Sequence, residues 1–156
     1  VSSAMTPEER LAELGLSLPG VATPLAAYVP AVQTGSYVYT SGQLPLVDGK
    51  LGVTGKVGAE VSAEDAKDAA RICALNALAA LNSVTGDLSA IVRIVKVVGY
   101  VASDPGFTGQ PGVINGASEL IGEVFGEAGS HARSAVGVAV LPMDSPVEIE
   151  IVAEVR

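Results

Sequence analysis

The chain is predicted to fold as a single α+β domain of two layers, a β-sheet with two helices on one face. Three observations predict it. The chain has 156 residues, 49% of them hydrophobic, enough for one compact core and too few for two. Two segments carry apolar residues at helical spacing, and each is followed by a β-branched run. The resulting order of strands, helix, strand, helix, strand, strand places the helices together on one side of a single mixed sheet.

The elements follow in order. Residues 1–4 are given no role. Thr6-Pro7-Glu8-Glu9 reads as an N-cap, a proline in the first turn and acids beside it, so a short helix runs to about Leu14 and Gly15 stops it. Tyr28 to Gln33 and Tyr37 to Ser41 are β-rich runs around Thr34-Gly35-Ser36, a hairpin, and Asp48-Gly49 marks a second turn. Ser62-Ala63-Glu64-Asp65 opens a long Ala-rich helix continuing to about Asn82, with Ile72, Leu75, Leu78 and Ala79 expected against the sheet. Ile91 to Ser103 is nearly all β-branched and reads as a central strand. Asp104 to Gly112 is loop. A second helix is expected over Val113 to Glu127, with Ile114, Leu120, Ile121, Val124 and Phe125 as its buried stripe and Ala128-Gly129 as its exit.

The last quarter is the most informative. In His131-Ala132-Arg133-Ser134-Ala135-Val136-Gly137-Val138-Ala139-Val140-Leu141, period two puts Ser134, Val136, Val138 and Val140 on one face and Arg133, Ala135, Gly137, Ala139 and Leu141 on the other. The valine face is expected to be core. The opposite face, bare beyond Arg133, is expected to lie against a neighbouring subunit or a ligand whose anion the guanidinium clamps. Val147-Glu148-Ile149-Glu150-Ile151 forms the final strand, with both glutamates on one face.

Composition excludes several classes. A net charge of -8 with nine scattered Lys and Arg gives no basic stripe for a phosphate backbone, so nucleic acid is not an expected partner. One cysteine, Cys73, excludes an internal disulfide framework and suggests a reducing, cytoplasmic home. No basic-then-apolar leader and no membrane-length apolar run is present, so no membrane partner is expected. The abundance of Val, Ala and Gly with little charge suggests apolar surface covered by oligomerisation. There is no Walker loop or dinucleotide fingerprint, since Gly122 to Gly129 interrupt a helix instead of following a strand. One histidine, one cysteine and no clustered acids argue against a metal site. No nucleophile elbow accompanies His131, whose simplest role is a loop histidine capping the helix exit.

Arg133 and Glu148 remain as the chemistry-bearing pair. Arg133 is either a surface ion-pair partner or a fork for a substrate carboxylate. Glu148 and Glu150 read as a solvated edge unless partial burial and a substrate proton give one of them acid–base work. In a plain hairpin of the last two strands, Arg133 would sit roughly 20 Å or more from Glu148 at about 3.3 Å per residue. Either the two are unrelated, or the strands are not paired that way, or the site is built between subunits.

Tyr28-Val29, Gly35, Thr40-Ser41-Gly42-Gln43-Leu44-Pro45, Asn115, Ala132-Arg133-Ser134, Leu141-Pro142, Asp144 and Val147-Glu148-Ile149-Glu150 together resemble the Rid (YjgF-type) enamine/imine deaminase family, also labelled endoribonuclease L-PSP. The resemblance covers residues 18–156, leaving residues 1–17 as tail and accessory helix. It implies a chorismate-mutase-like fold with the last strand inserted between earlier ones, and a homotrimer with clefts between subunits. By the same resemblance Arg133 holds a substrate carboxylate and Glu148 orients or deprotonates the attacking water. Tyr28, Ser41, Gly42, Asn115 and Ala135 line the cleft, and no cofactor or metal is required.

The implied function is hydrolysis of small 2-imino or enamine carboxylates to 2-keto acids and ammonia. A trimer that binds small carboxylates or keto acids without turnover is the alternative, with ribonuclease activity a distant third. The chain departs from the family pattern at several points. Ala135 stands where the family's deaminases commonly have cysteine, Gly137 where a larger polar residue is frequent, and His131 has no counterpart. The N-terminal helix is extra, and the loop from Ser103 to Gly112 is extended.

Overall fold

The structure, a computed structural model, describes residues 5–21 and 27–156. Residues 1–4 and 22–26 lie outside the described part. The elements are α1 (Pro7–Glu13), β1 (Ala31–Thr34), β2 (Tyr37–Thr40), β3 (Leu46–Val47), β4 (Lys50–Leu51), α2 (Ala63–Thr85), β5 (Ile91–Ala102), α3 (Gln110–Phe125), β6 (Ala132–Val138) and β7 (Val147–Val155). The main sheet has five strands in the order β1-β2-β7-β5-β6. β5 and β6 are parallel and the other pairs antiparallel, so the sheet is mixed, as expected. β7 lies between β2 and β5 and does not form a hairpin with β6.

Local chemistry sets the boundaries. Thr6 and Glu9 form a reciprocal capping box on α1, and Gly15 takes a φ of +75° just past its end. Gly35 supplies the positive φ of the β1–β2 turn, while Asp48 and Gly49 both adopt positive φ between β3 and β4. Ser62 caps α2 by accepting from the Asp65 amide, and Gly86 closes it in the left-handed conformation. α3 begins at Gln110, three residues earlier than the sequence suggests, because Pro111 in its first turn needs no intrahelical acceptor. The first strand begins at Ala31, leaving Tyr28 in the segment before it.

α2 and α3 cover one face of the sheet. Val147, Ile149, Ile151, Ala153 and Val155 of β7 alternate into that core with Ile94, Val97 and Val101 of β5. Ala66, Ala70, Cys73, Ala74, Ala77 and Leu81 form the buried side of α2 with Leu78. Ile72 and Leu75, expected against the sheet, are only partly buried and turn towards Leu46, Val47 and Met143. The correction is one of helix phase, because alanines allow closer approach to the sheet than the larger side chains would. The α3 stripe of Ile114, Leu120, Ile121, Val124 and Phe125 is buried as expected. A Cβ at Gly116 would collide with the Lys67 carbonyl of α2, so this glycine lets the two helix backbones meet. α1 joins the core through Leu11, and its Glu8 carboxylate accepts from the Leu88 amide at 2.8 Å.

The faces of β6 are the reverse of the sequence expectation. Val136 is 42% exposed and Val140 62%, whereas Ala135 packs against the core. Register explains it: Ala135 and Gly137 stand beside Gly99 and Val101, while Ser134 and Val136 stand beside Val98 and Tyr100. The small residues face the helices, and the valines share the uncovered side of the sheet with Glu148, Glu150, Tyr37 and Tyr39.

Candidate functional site

Arg133 lies near the start of the edge strand β6 and projects towards α3. Its Nη1 donates to Asn115 Oδ1 at 2.8 Å and to Ser118 Oγ at 3.2 Å, and Nη2 approaches the Pro111 carbonyl at 3.4 Å. Asn115 and Ser118 are three residues apart and therefore share one helix face. His131, the residue two before Arg133, meets the same hydroxyl, with Nε2 2.9 Å from Ser118 Oγ and Nδ1 2.6 Å from the Gly129 carbonyl. The histidine does close the exit of α3 through Gly129, and it does more by reaching Ser118. Ala135 follows on the same face, half-buried against the core. At Gly137 a Cβ would press on Gln110 Nε2 and Ser103 Oγ, so the extended loop before α3 occupies that space.

The second group lies on the other face. Glu148 projects from β7 beside Tyr100 of β5, and its carboxylate covers Gly42, where any Cβ would strike it. Reciprocal backbone bonds between Gln43 and Ile149, at 2.8 and 3.0 Å, pin the Ser41–Gly42 turn against β7. Ser41 Oγ donates to the Val29 carbonyl at 2.6 Å, which brings the preceding Tyr28, 52% exposed, to the same corner. Burial raises the Glu148 pKa, and the neighbouring Glu150 charge raises it further. Tyr100 donates to Glu150 at 2.7 Å. That bond to a carboxylate, followed by desolvation and the two glutamate charges, pushes the phenol up to about 12. The phenol therefore stays a donor to the Glu150 carboxylate.

The site residues expected from the sequence thus fall into two groups: Arg133, Asn115 and Ala135 on the helix side of one edge, and Tyr28, Ser41, Gly42 and Glu148 around the open face. Arg133 is registered with Val97, and Val97 with Ile151. Two strand spacings of about 4.8 Å and three residues of about 3.3 Å put the two backbones roughly 14 Å apart, with side chains leaving opposite faces. One chain does not bring them together. Sequence reasoning missed Ser118, whose signal was a polar residue three after Asn115 beside an apolar stripe, and Tyr100, whose partner became visible only through strand register.

A mixed sheet in this order, with the helices on one face, defines a chorismate-mutase-like chain, and it carries a helix-held arginine at one edge and a partly buried glutamate beside a glycine turn. The comparisons resolve the class further. The chain belongs to the family whose model, described as "YjgF/chorismate_mutase-like, putative endoribonuclease", matches residues 8–155. It is similar to Protein TCP17 of Trypanosoma cruzi, 44% identical over 147 residues covering 94% of this chain and 92% of that protein. Among solved structures it is similar to Atu1372 of Agrobacterium tumefaciens, a protein of unknown function, at 49% identity and a TM-score of 0.89, covering 97% of this chain and 94% of that one. It is also similar to Escherichia coli TdcF with bound serine, at 30% identity and a TM-score of 0.60, covering 88% of this chain and 92% of that one. No helix among the described residues is long and apolar enough to cross a membrane.

Proposed function

We propose that this protein hydrolyses small 2-imino or enamine carboxylates to 2-keto acids and ammonia, in clefts formed between subunits of a homotrimer. The observation that carries the reading is the division of one plausible active site into two halves on opposite faces of the sheet. A second copy laid against the uncovered face, with its exposed Val136, Tyr37 and Tyr39, would bring the Glu148 half of one chain to the Arg133 half of another. The serine bound to TdcF is a small carboxylate, as the proposed substrate is. A free, buried Cys73 suits a cytoplasmic setting.

Arg133 binds the substrate carboxylate through charge-assisted hydrogen bonds, and Asn115 keeps the guanidinium in place. Water attacks the iminium carbon, and its proton passes to Glu148, whose pKa, raised by burial and by Glu150, makes it a better proton acceptor than an ordinary carboxylate. The proton then goes to the nitrogen of the resulting carbinolamine. The C–N bond breaks, ammonia leaves, and the proton that the hydroxyl loses as it becomes the ketone passes to that ammonia, so an iminium carboxylate and one water give a keto acid and ammonium. No change of oxidation state is involved.

The test is the rate of keto-acid release from freshly generated 2-iminopropanoate and 2-iminobutanoate, together with the mass of the assembly in solution. Acceleration that disappears in a still-trimeric Arg133→Ala variant supports the reading. Carboxylate binding without acceleration would make the protein a small-carboxylate binder. Cleavage of RNA by this acidic chain would overturn both.

A further inference from the structure

The interaction between His131 and Ser118 is not used by the reaction above. His131 is the only histidine in the chain. The Gly129 carbonyl, 2.6 Å from Nδ1, can only accept, so Nδ1 carries a proton. In the neutral ring Nε2 is then an acceptor, and the Ser118 hydroxyl, 2.9 Å away, donates to it. A helical serine often turns its hydroxyl back to the carbonyl four residues earlier; the hydrogen bonds of Ser118 run instead to His131 and Arg133. Committing the Ser118 proton to His131 leaves an oxygen lone pair aimed at Arg133 Nη1, 3.2 Å away. Asn115 Oδ1 accepts from the same Nη1 at 2.8 Å.

We propose that His131 and Ser118 are positioning residues, a relay from the Gly129 carbonyl to Arg133 that fixes the Nη1 arm of the guanidinium and leaves Nε, with the Nη2 hydrogen not directed at the Pro111 carbonyl, to receive the ligand carboxylate. The inference rests on the reading of Arg133 as the carboxylate anchor. Neither relay residue touches the substrate. Their effect is to hold a flexible side chain in one plane, so that less freedom remains to be lost when a planar ligand binds.

The experiment measures pyruvate affinity by calorimetry for the intact assembly and for His131→Ala, Ser118→Ala, the double variant, Ser118→Thr and Arg133→Ala. His131→Ala and Ser118→Ala are each expected to weaken binding about 5- to 10-fold, the scale of one net hydrogen bond. The double variant should lose no more than about twofold beyond either single, because both changes break one relay. Ser118→Thr, which keeps the hydroxyl, should bind as the wild type does. Long-range proton–nitrogen NMR of the sole imidazole should show the Nδ1-protonated tautomer, with an Nε2 resonance that pyruvate moves in the wild type and not in Arg133→Ala. If Arg133→Ala loses binding while His131→Ala and Ser118→Ala keep it, or the imidazole is protonated at Nε2 alone, the relay is overturned and the carboxylate reading stands. If the wild type does not bind pyruvate, or Arg133→Ala binds equally well, both fall.

Discussion

The carboxylate of Glu148 lies directly over the Cα of Gly42, in the space where the first side-chain carbon of any other residue would sit. The Gln43–Ile149 backbone bonds hold the turn against β7, so the glycine cannot withdraw and the glutamate must. Gly42 is thus the floor on which the Glu148 carboxylate rests.

Gly42→Ala is expected to separate activity from stability. The obstacle it meets is the end of a flexible side chain, so the fold should lose less than about 1 kcal/mol, while displacement of the carboxylate should lower imine hydrolysis at least about tenfold. Thermal unfolding and turnover measured on one preparation check both.

Glu148→Gln should abolish hydrolysis, leave pyruvate binding intact and change the pH dependence of stability. A carboxyl whose folded pKa is raised binds more protons in the native than in the unfolded state. Wild-type stability therefore declines as pH rises from the unfolded value of about 4.3 through the raised folded value. The glutamine variant lacks that decline. Its melting temperature should exceed the wild type's at neutral pH, and the difference should vanish below about pH 4. In the wild type the same protonation should remove hydrolysis on the acid side.

Tyr100→Phe removes the donor to the Glu150 carboxylate and leaves two glutamates without their shared phenol neighbour. Hydrogen bonds to charged groups contribute about 1.5–3 kcal/mol, and partial exposure of this pair places the expected loss near the lower end. Denaturant unfolding measures it.

Gly116→Ala should be the most damaging of the small changes. The new methyl group meets the Lys67 backbone carbonyl of α2, which cannot rotate away, so the helices must separate. The expected cost is about 1–3 kcal/mol, against almost none for Gly122→Ala on the open side of α3, where a Cβ meets nothing within 4 Å. Paired chemical denaturation of the two variants tests the contrast.

The sequence by itself determined the two-layer class, the capped starts of α1 and α2, the Gly35 and Asp48-Gly49 turns, and which residues of β6 and β7 share a face. These are local properties, written in spacing of two or 3.6 and in the φ values that glycine and asparagine-like residues tolerate. The resemblance added the insertion of the last strand between earlier ones, which the sheet order bears out, with β7 between β2 and β5. Only the tertiary structure decided which face of β6 is covered. Alternation is symmetrical, so it separates Arg133, Ala135 and Gly137 from Ser134, Val136 and Val138 without saying which set meets the helices. Valines suggested core and small residues suggested vacancy, but the fold does the reverse. Ala135 and Gly137 are small because α3 and the Ser103–Gln110 segment come close to them, and the valines are left on the face that no helix covers. The same long-range pairing places Ser118 under His131 and Glu148 over Gly42, contacts between residues 13 and 106 positions apart, which no local periodicity can encode.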